Sequence, residues 1–345
     1  MTGSSVARRP NQADVALKAG VSISTVSRAL ANAPGISPAV RRRIQATAAE
    51  LGYKPRAAEI APGHLAVAFV PLRRATDGLG TFYEHILDGL KTAARDTEGV
   101  DLETRLIDEA TLSPEVVTTH LEATGANCLF FIGIDPPLEV AAWLRAQGIA
   151  VVLINGSDPD LEVSSVAPAN FYGAKLATRH LLSAGHRHIV HLTPANRWTI
   201  LERMRGFQAA IGDVDGAVGH VRVIPDGNGG SGREAVLPCL AEHPECTAFF
   251  CMNDLVAIGV LQGLELAGKR VPHDVSVIGF DDLPVAAMTS PRLATMRVDR
   301  RAIGREALRL LHHRLAEPNS FPLQIEIGVR LVPGDSVGRP RTKIE

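Results

Sequence analysis

A chain of 345 residues that is 46% hydrophobic and 21% charged can bury a large core, which excludes intrinsic disorder. Aromatics make up only 4% while 31 glycines and 22 prolines punctuate the chain, a balance suited to strand-turn-helix folds with short loops. Net charge is −1, but nine of the 36 Lys/Arg and three of the 37 Asp/Glu fall within residues 1–60, a local +6 against −7 for the rest. A basic head on an acidic body is the electrostatic footprint of a module that meets a polyanion.

Four cysteines, Cys128, Cys239, Cys246 and Cys251, form no CxxC pair, so a disulfide scaffold is excluded and reduced intracellular thiols are expected. The N-terminal MTGSSVARRPNQ has no apolar stretch to act as a secretory signal. The apolar runs at 128–134 and 150–154 fall short of the roughly 18–20 residues of a membrane helix. A soluble cytoplasmic protein with no membrane partner is expected.

In chain order, a flexible N-terminus of residues 1–10 precedes three short helices in residues 11–55. Asn11 with Asp14 three residues on reads as an Asp variant of the capping box, opening a helix that runs to about Ala19. Gly20 offers a left-handed turn, with Val21 inserting behind it. A second helix starts near 22–24 and runs to about Leu30, with Val26 and Leu30 on its apolar face. Ser37 caps a third helix, Pro38 takes its first position, and Val40, Ile44, Ala48 and Leu51 form its buried stripe before Gly52 ends it. Two short helices around a glycine turn make a helix-turn-helix, and the polar face of the second, beside Arg41–Arg43, points to duplex DNA.

DVALKAGVSISTVSRAL (14–30) followed by SPAVRRRIQATAAELGYKP (37–55) closely resembles the headpiece of LacI/GalR-family transcriptional regulators. The resemblance implies that the second helix enters the major groove of a near-palindromic operator, bound by a homodimer with matching two-fold symmetry. Ile23 and Ser24 then take base-reading positions, Arg28 contacts a guanine or a phosphate, and Ser22, Thr25 and Ser27 anchor phosphates. Tyr53 completes the implied DNA-binding set. The family continues with a hinge helix whose leucine wedges into the minor groove. Here the hinge, residues 56–64, is about four residues shorter, with Pro62 where that leucine would fall. Ile60 is then either the wedge or a linker residue that packs on the body.

From residue 65 apolar strands alternate with amphipathic helices. Strands are predicted at 65–71, 100–108, 128–134 and 150–156, with helices at 82–95, 114–123 and 138–147 between them. After a break near 165 the pattern restarts, with helices at 173–183, 201–211, 232–241 and 255–267 and strands at 188–194, 221–225, 247–253 and 275–282. The fold class is therefore an all-α helix-turn-helix headpiece followed by a two-lobed α/β core of two doubly wound parallel sheets. The resemblance extends to this core, which is similar to the family's periplasmic-binding-protein-like domain through GHRHIVHLTP, ERMRGFQAAI, CMNDLVAIG, VPHDVSVIGFDD and SPRLATMRVD. It implies an effector-binding and dimerisation domain over 65–337, with three crossings between lobes. Lobe 1 covers about 65–166 and 294–318, lobe 2 about 167–293 and 319–337, and 338–345 form a tail without heptads.

In open α/β sheets ligands sit at the carboxyl ends of the strands, here the cleft between lobes. By position the resemblance assigns to that cleft Phe82, Tyr83, Asp135, Arg197, Thr199, Arg203, Asn253 and Asp281. A guanidinium, an amide and carboxylates aimed into one cleft exchange directional hydrogen bonds with hydroxyls, so a small polar effector is expected, a sugar or a nucleoside. Gly227, Gly229 and Gly230 stand where some members supply a stacking aromatic, which disfavours a purine unless Trp198 substitutes. Trp143 reads as core.

No cofactor or metal is expected. Among His186, His188 and His191, the two on a strand point to opposite faces, and DGNGGSG lacks the Lys-Ser/Thr ending of a phosphate loop. No GxSxG or HExxH appears, so an enzyme reading has no supporting constellation. The alternatives are a stand-alone solute-binding protein of the same body fold and, third, a cytoplasmic carbohydrate or nucleotide enzyme. The reading that accounts for residues 11–55 is a transcriptional regulator, with repression the family default.

Overall fold

A computed structural model describes residues 12–30, 36–51, 64–72, 80–97, 100–156, 158, 160–195 and 197–341. Contacts divide the chain into two compact units, Met1–Glu59 and Ile60–Glu345.

In the first unit, helices α1 (Gln12–Ala19), α2 (Ile23–Leu30) and α3 (Pro38–Glu50) enclose a small core. Val15, Ala16, Ala19, Val26, Ala29, Ile44 and Ala48 fill it, with Val21, Val40 and Leu51 packed at its rim. Alanines at three of the α1 and α2 positions let the helices approach closely. Gly20 takes a φ of +65°, the left-handed turn its sequence position requires, and the Val21 amide donates to the Ala16 carbonyl at 3.1 Å to close α1. Ser37 caps α3 by accepting from the Val40 amide at 3.4 Å, with Pro38 behind it.

The first lobe of the second unit contains β1 (His64–Pro71), α4 (Gly80–Asp96), β2 (Val100–Ile107), α5 (Pro114–Thr124), β3 (Cys128–Ile132), α6 (Leu138–Ala146), β4 (Ala150–Ile154) and β5 (Ser164–Pro168). The second contains α7 (Asn170–Ala184), β6 (His188–Thr193), α8 (Trp198–Gly212), β7 (Val218–Val223), α9 (Gly229–Glu242), β8 (Ala248–Cys251), α10 (Asp254–Leu266) and β9 (Ser276–Ile278). The chain ends with β10 (Thr295–Arg297), α11 (Arg300–Ala316), β11 (Gln324–Ile327) and β12 (Arg330–Val332). The first sheet is parallel throughout, in the order β11-β5-β4-β3-β1-β2, and the second is parallel in the order β7-β6-β8-β9. β3 and β8 are buried along their whole length, as strands covered on both faces must be.

The order reverses between β1 and β3 in one sheet and between β6 and β8 in the other, which puts a crevice at each set of carboxyl ends. Helix pairs clamp both sheets. α4 meets α11 through Gly89 and Gly304, where an added Cβ would lie 2.3 Å from the Arg301 carbonyl oxygen and 2.2 Å from that of Ile86. α9 meets α10 closer still, with a Cβ on Gly259 falling 1.9 Å from the Gly229 carbonyl oxygen.

The boundaries between lobes differ from the sequence reading. β5 extends the first lobe to Pro168, because Ser164, Ser165 and Val166 pair with β4. β10 stays with the second lobe through bridges Ile278–Ala294 and Asp281–Arg297, so the return crossing comes just before α11 rather than at 294. β11 is not in the second lobe: Gln324–Ile327 pair with Ser165–Pro168 at the edge of the first sheet, and the third crossing lies between β11 and β12, which pairs with β10. Nor is the segment from 338 wholly a tail. The Gly338 amide donates to Ser276 Oγ at 3.0 Å, and Arg341 pairs with Asp274 at 3.0 Å, so it lies along the second lobe.

The α9–α10 contact predicts an asymmetry between helix glycines. Gly259→Ala should lower stability by about 1–3 kcal/mol through overpacking. Gly212→Ala, at an end of α8 where a Cβ meets nothing within 4 Å, should leave stability unchanged or raise it. Urea denaturation of the two variants beside wild type measures both.

Candidate DNA-binding head and effector cleft

In the first unit Ser22 precedes α2 as its cap: Oγ accepts from the Thr25 amide at 3.1 Å and lies 2.8 Å from Thr25 Oγ1. Ile23, the first position of α2, is 53% exposed, as a base-reading position needs to be, while Thr25 is half-buried. Ser24, Ser27 and Arg28 lie on the α2 backbone, but their side chains fall outside the described residues, as do Tyr53 and Ile60 altogether. Arg42 and Arg43 are exposed on α3.

The second unit brings most of the predicted cleft residues together at the carboxyl ends of its strands. Asp135 follows β3 in the first lobe and Arg197 precedes α8 in the second, and they form a two-pronged ion pair across the cleft. Nε and Nη2 of Arg197 donate to Oδ2 and Oδ1 of Asp135, each at 3.0 Å, and Nη2 also donates to the Asn155 carbonyl at 2.8 Å. Burial works to lower the pKa of Arg197, but Asp135, with Tyr83 and Glu109, outweighs it and raises the pKa above the ordinary value. The arginine is a fixed charge.

Arg203, on α8, is buried to 3% exposure with each arm occupied. Nε donates to Asn170 Oδ1 at 2.8 Å, Nη1 to the Met252 carbonyl, Nη2 to Asp281 Oδ1 at 3.4 Å, and the guanidinium lies 3.8 Å above the Phe280 ring. Only one long contact compensates Asp281 from this arginine, so burial prevails and pushes that carboxyl up to about 6. Asp281 also holds a φ of +109° and Asp282 one of +52°, strained values for residues with a Cβ. Arg300 at the start of α11 donates to the carbonyls of both, and its Nε lies 3.3 Å from His85 Nδ1 on α4 in the first lobe.

Phe82 and Tyr83 are buried edge to face, centroids 5.2 Å apart, and Asn155 Nδ2 donates to the Tyr83 hydroxyl at 3.3 Å. Thr199 is buried in the first turn of α8. Asn253 is engaged by the protein itself. Its Oδ1 caps α10 by accepting from the Val256 amide at 2.8 Å, and its Nδ2 donates to the Gly227 carbonyl at 2.9 Å, so both ends of the amide hold the protein's own loops.

Sequence reasoning missed Asn155, Asn170, Arg300 and Asp254. Asn155 sits just beyond β4 with a φ of +50°, and its Oδ1 is buried with no hydrogen-bond partner among the described residues, an acceptor at the mouth of the first sheet. Its place at the end of AVVLI was the available signal. Asp254 is fully buried, accepts from Thr295 Oγ1 and from the Leu283 amide at 2.7 Å, and burial raises its pKa well above the ordinary range. The three histidines near 188 separate: His186 Nδ1 and Nε2 contact Thr247 and the Gly338 carbonyl, His191 stacks on Phe250, and His188 stands apart on the other face of β6. DGNGGSG is the N-terminal cap of α9, Asn228 Oδ1 accepting from the Ser231 amide at 2.9 Å. Trp143 packs against the first-lobe core, and Trp198 is 37% exposed.

A helix-turn-helix unit joined to a two-lobed α/β core with polar side chains facing across its cleft defines a ligand-responsive DNA-binding regulator. Residues 13–56 match the family described as bacterial regulatory proteins, lacI family, and residues 178–337 match the periplasmic binding protein-like domain. The chain is 28% identical to the HTH-type transcriptional regulator GntR of Escherichia coli strain K12, over 96% of this chain and 99% of that one. It is 29% identical to MalR of Streptomyces coelicolor, over 95% and 98%. A solved structure of the transcriptional regulator CelR in complex with cellobiose superposes with a TM-score of 0.69 at 26% identity, over 95% of this chain and 100% of that chain. The chain carries a lacI-family DNA-binding domain and a periplasmic binding protein-like domain, and it is a DNA-binding transcriptional regulator. The relatives are regulators rather than enzymes, and among the described residues no helix is long and apolar enough to cross a membrane.

The raised Asp281 carboxyl predicts a pH signature. Its folded value of about 6 exceeds the ordinary 3.8, so the native state holds a proton that the unfolded chain releases, and this group's contribution to stability falls as pH rises from about 4 to about 6. Asp281→Asn should remove that component, so the stability of wild type minus variant declines with pH across this window. Denaturant titrations at four or five pH values measure it, and parallel curves would show that Asp281 ionises normally.

Proposed function

We propose that the chain is a homodimeric, cytoplasmic, non-catalytic repressor whose DNA binding is switched by a small hydroxylated effector, a sugar in preference to a nucleoside, bound between the lobes of the core. The observation that carries this reading is the Asp135–Arg197 pair spanning the cleft, with Arg203 and Asp281 behind it. These groups form a wall of donors and acceptors from both lobes, of the kind that polyhydroxylated ligands bridge. The similarity to CelR, whose solved complex holds cellobiose, supports the sugar class. So does the glycine-rich cap at 227–230, which leaves no aromatic there to stack a purine. The head at 11–55, the hinge at 56–64 and the effector domain from 65 are the proposed working parts.

Within the head, Ser22, Ile23, Ser24, Thr25, Ser27, Arg28 and Tyr53 meet the operator, and Ile60 the minor groove. Two heads related by two-fold symmetry read the half-sites of a near-palindromic site. An effector that bridges the lobes favours the closed cleft, and the difference in affinity between closed and open forms drives the switch.

Selection from a random duplex pool with the full-length protein should recover a single two-fold symmetric sequence, with affinity falling steeply as salt rises. No enrichment, with or without added sugars, would sink the regulator reading for this head. Arg28→Ala should reduce affinity for that site at least tenfold with unchanged thermal stability, read by fluorescence anisotropy.

In the cleft, Arg203→Lys keeps a charge but loses the fork, and Asp135→Asn breaks the ion pair. Both should weaken the response to the effector while leaving the DNA affinity of the effector-free protein within a few-fold. Screening mono- and disaccharides by thermal shift identifies the effector, and a normal response in both variants would move the site elsewhere.

A further inference from the structure

At the amino ends of the second sheet, remote from the cleft, three ligand-type side chains converge from segments far apart in sequence. His188 opens β6 and His220 lies on β7, two residues beyond Val218, the partner of His188 in the parallel register. Both side chains therefore stand on one face of the sheet, opposite to His191. Glu245 reaches them from the turn after α9, where the Cys246 amide donates to the His243 carbonyl at 2.9 Å around Pro244.

His188 Nδ1, His220 Nε2 and a Glu245 carboxylate oxygen all lie within 4.8 Å of one another. Oε1 of Glu245 is 3.8 Å from the first nitrogen and 3.7 Å from the second, too far for hydrogen bonds. The two nitrogens are themselves buried and have no hydrogen-bond partner among the described residues. Three potential ligand atoms thus lie close together without hydrogen bonding to one another. Tetrahedral zinc with bonds of about 2.0–2.1 Å separates its ligand atoms by roughly 3.4 Å, so the contacts to Glu245 need contract by only a few tenths of an ångström.

We infer that His188, His220 and Glu245 form a binding site for a zinc-class divalent transition metal, with the fourth position left to water. Two imidazoles and one carboxylate suit zinc, cobalt(II) or nickel(II), whereas magnesium and calcium prefer oxygen ligands alone. His243 stacks on His220 with centroids 3.6 Å apart and rings 16° from parallel, which holds the ligating ring in its plane. The site lies at the carboxyl end of α9, where the helix dipole also favours a cation. Arg222, the nearby positive charge on β7, is neutralised by Glu242 at 2.7 Å.

The test uses untagged, chelator-treated, full-length protein titrated with cobalt(II). The expected result is one equivalent bound per chain with the visible absorption of tetrahedral cobalt. Zinc should displace it at lower concentration, magnesium at millimolar concentration should not, and zinc should raise the melting temperature. His220→Asn and Glu245→Gln should each weaken cobalt binding at least tenfold, and His188→Asn serves as a third variant. All three side chains are partly exposed, and equal melting temperatures of the metal-free proteins confirm that the variants fold. No cobalt binding by wild type, or binding that none of the substitutions weakens, overturns the assignment, the latter placing the metal on other histidines of the 12 in the chain.

Discussion

A guanidinium buried to 3% exposure must have its charge and its donors met by the protein, since desolvating an ion costs several kcal/mol. Arg203 meets this demand with Asn170 at the start of α7, the Met252 carbonyl just after β8 and Asp281 in the strained loop after β9. One side chain on α8 thereby aligns three carboxyl-side segments of the second lobe, and Phe280 closes the face of its ring. Without that arginine Asp281 would lose its contact and its φ of +109° would have one constraint fewer. Arg300 holds the same loop from behind through the carbonyls of Asp281 and Asp282 and touches His85 on the first lobe. The cleft wall is thus tied to the crossing segment on which any hinge motion turns.

The Asp135–Arg197 pair differs in kind, because its halves belong to different lobes. Its strength depends on the distance between them, so it distinguishes an open cleft from a closed one as no contact within a lobe can. In water such a pair is worth about 1 kcal/mol or less, but with Arg197 7% exposed and Asp135 29% it is partly shielded from solvent. A hydroxylated ligand entering between them, as proposed, would exchange one set of charge-assisted hydrogen bonds for another. Its effect on the cleft depends on the difference between these sets, and the buried, unpartnered Oδ1 of Asn155 is an acceptor that such a ligand can satisfy without displacing anything.

Much of the fold was legible because parallel strands buried on both faces read as unbroken apolar runs, such as CLFFI and AFFC, between amphipathic helices. The crossings were less legible, and for a physical reason. β10, β11 and β12 are only three or four residues long, and the last two are half-exposed, so QIEI alternates weakly and carries no sign of which sheet it joins. Its place beside β5 depends on pairing with a strand about 160 residues earlier. In the cleft, charged residues next to apolar strands stood out, whereas Asn155 and Asn170 did not, since an asparagine beside a glycine or a proline segment reads first as a turn. Asn253, a polar residue at the right strand end, also serves as a helix cap, a role its strand-end position did not announce. The trio of His188, His220 and Glu245 lay beyond sequence reasoning, because its spacings of 32 and 25 residues match no metal motif and only the parallel register brings the two histidines onto one face.

The two ends of β6 therefore carry different physics. At its carboxyl end the contacts reach across to the other lobe, and anything bound there has different affinities for the open and closed forms. At its amino end all three ligating residues belong to one lobe, held in register by β6, β7 and the turn before β8. A cation there would gain the same contacts whether the cleft is open or closed, and a ligand with equal affinity for two states shifts neither. Its effect would fall on the unfolding of that lobe, since a metal that binds only the folded arrangement stabilises it by mass action. One strand can in this way carry a switch at one end and a staple at the other, the first sensitive to the distance between lobes and the second blind to it.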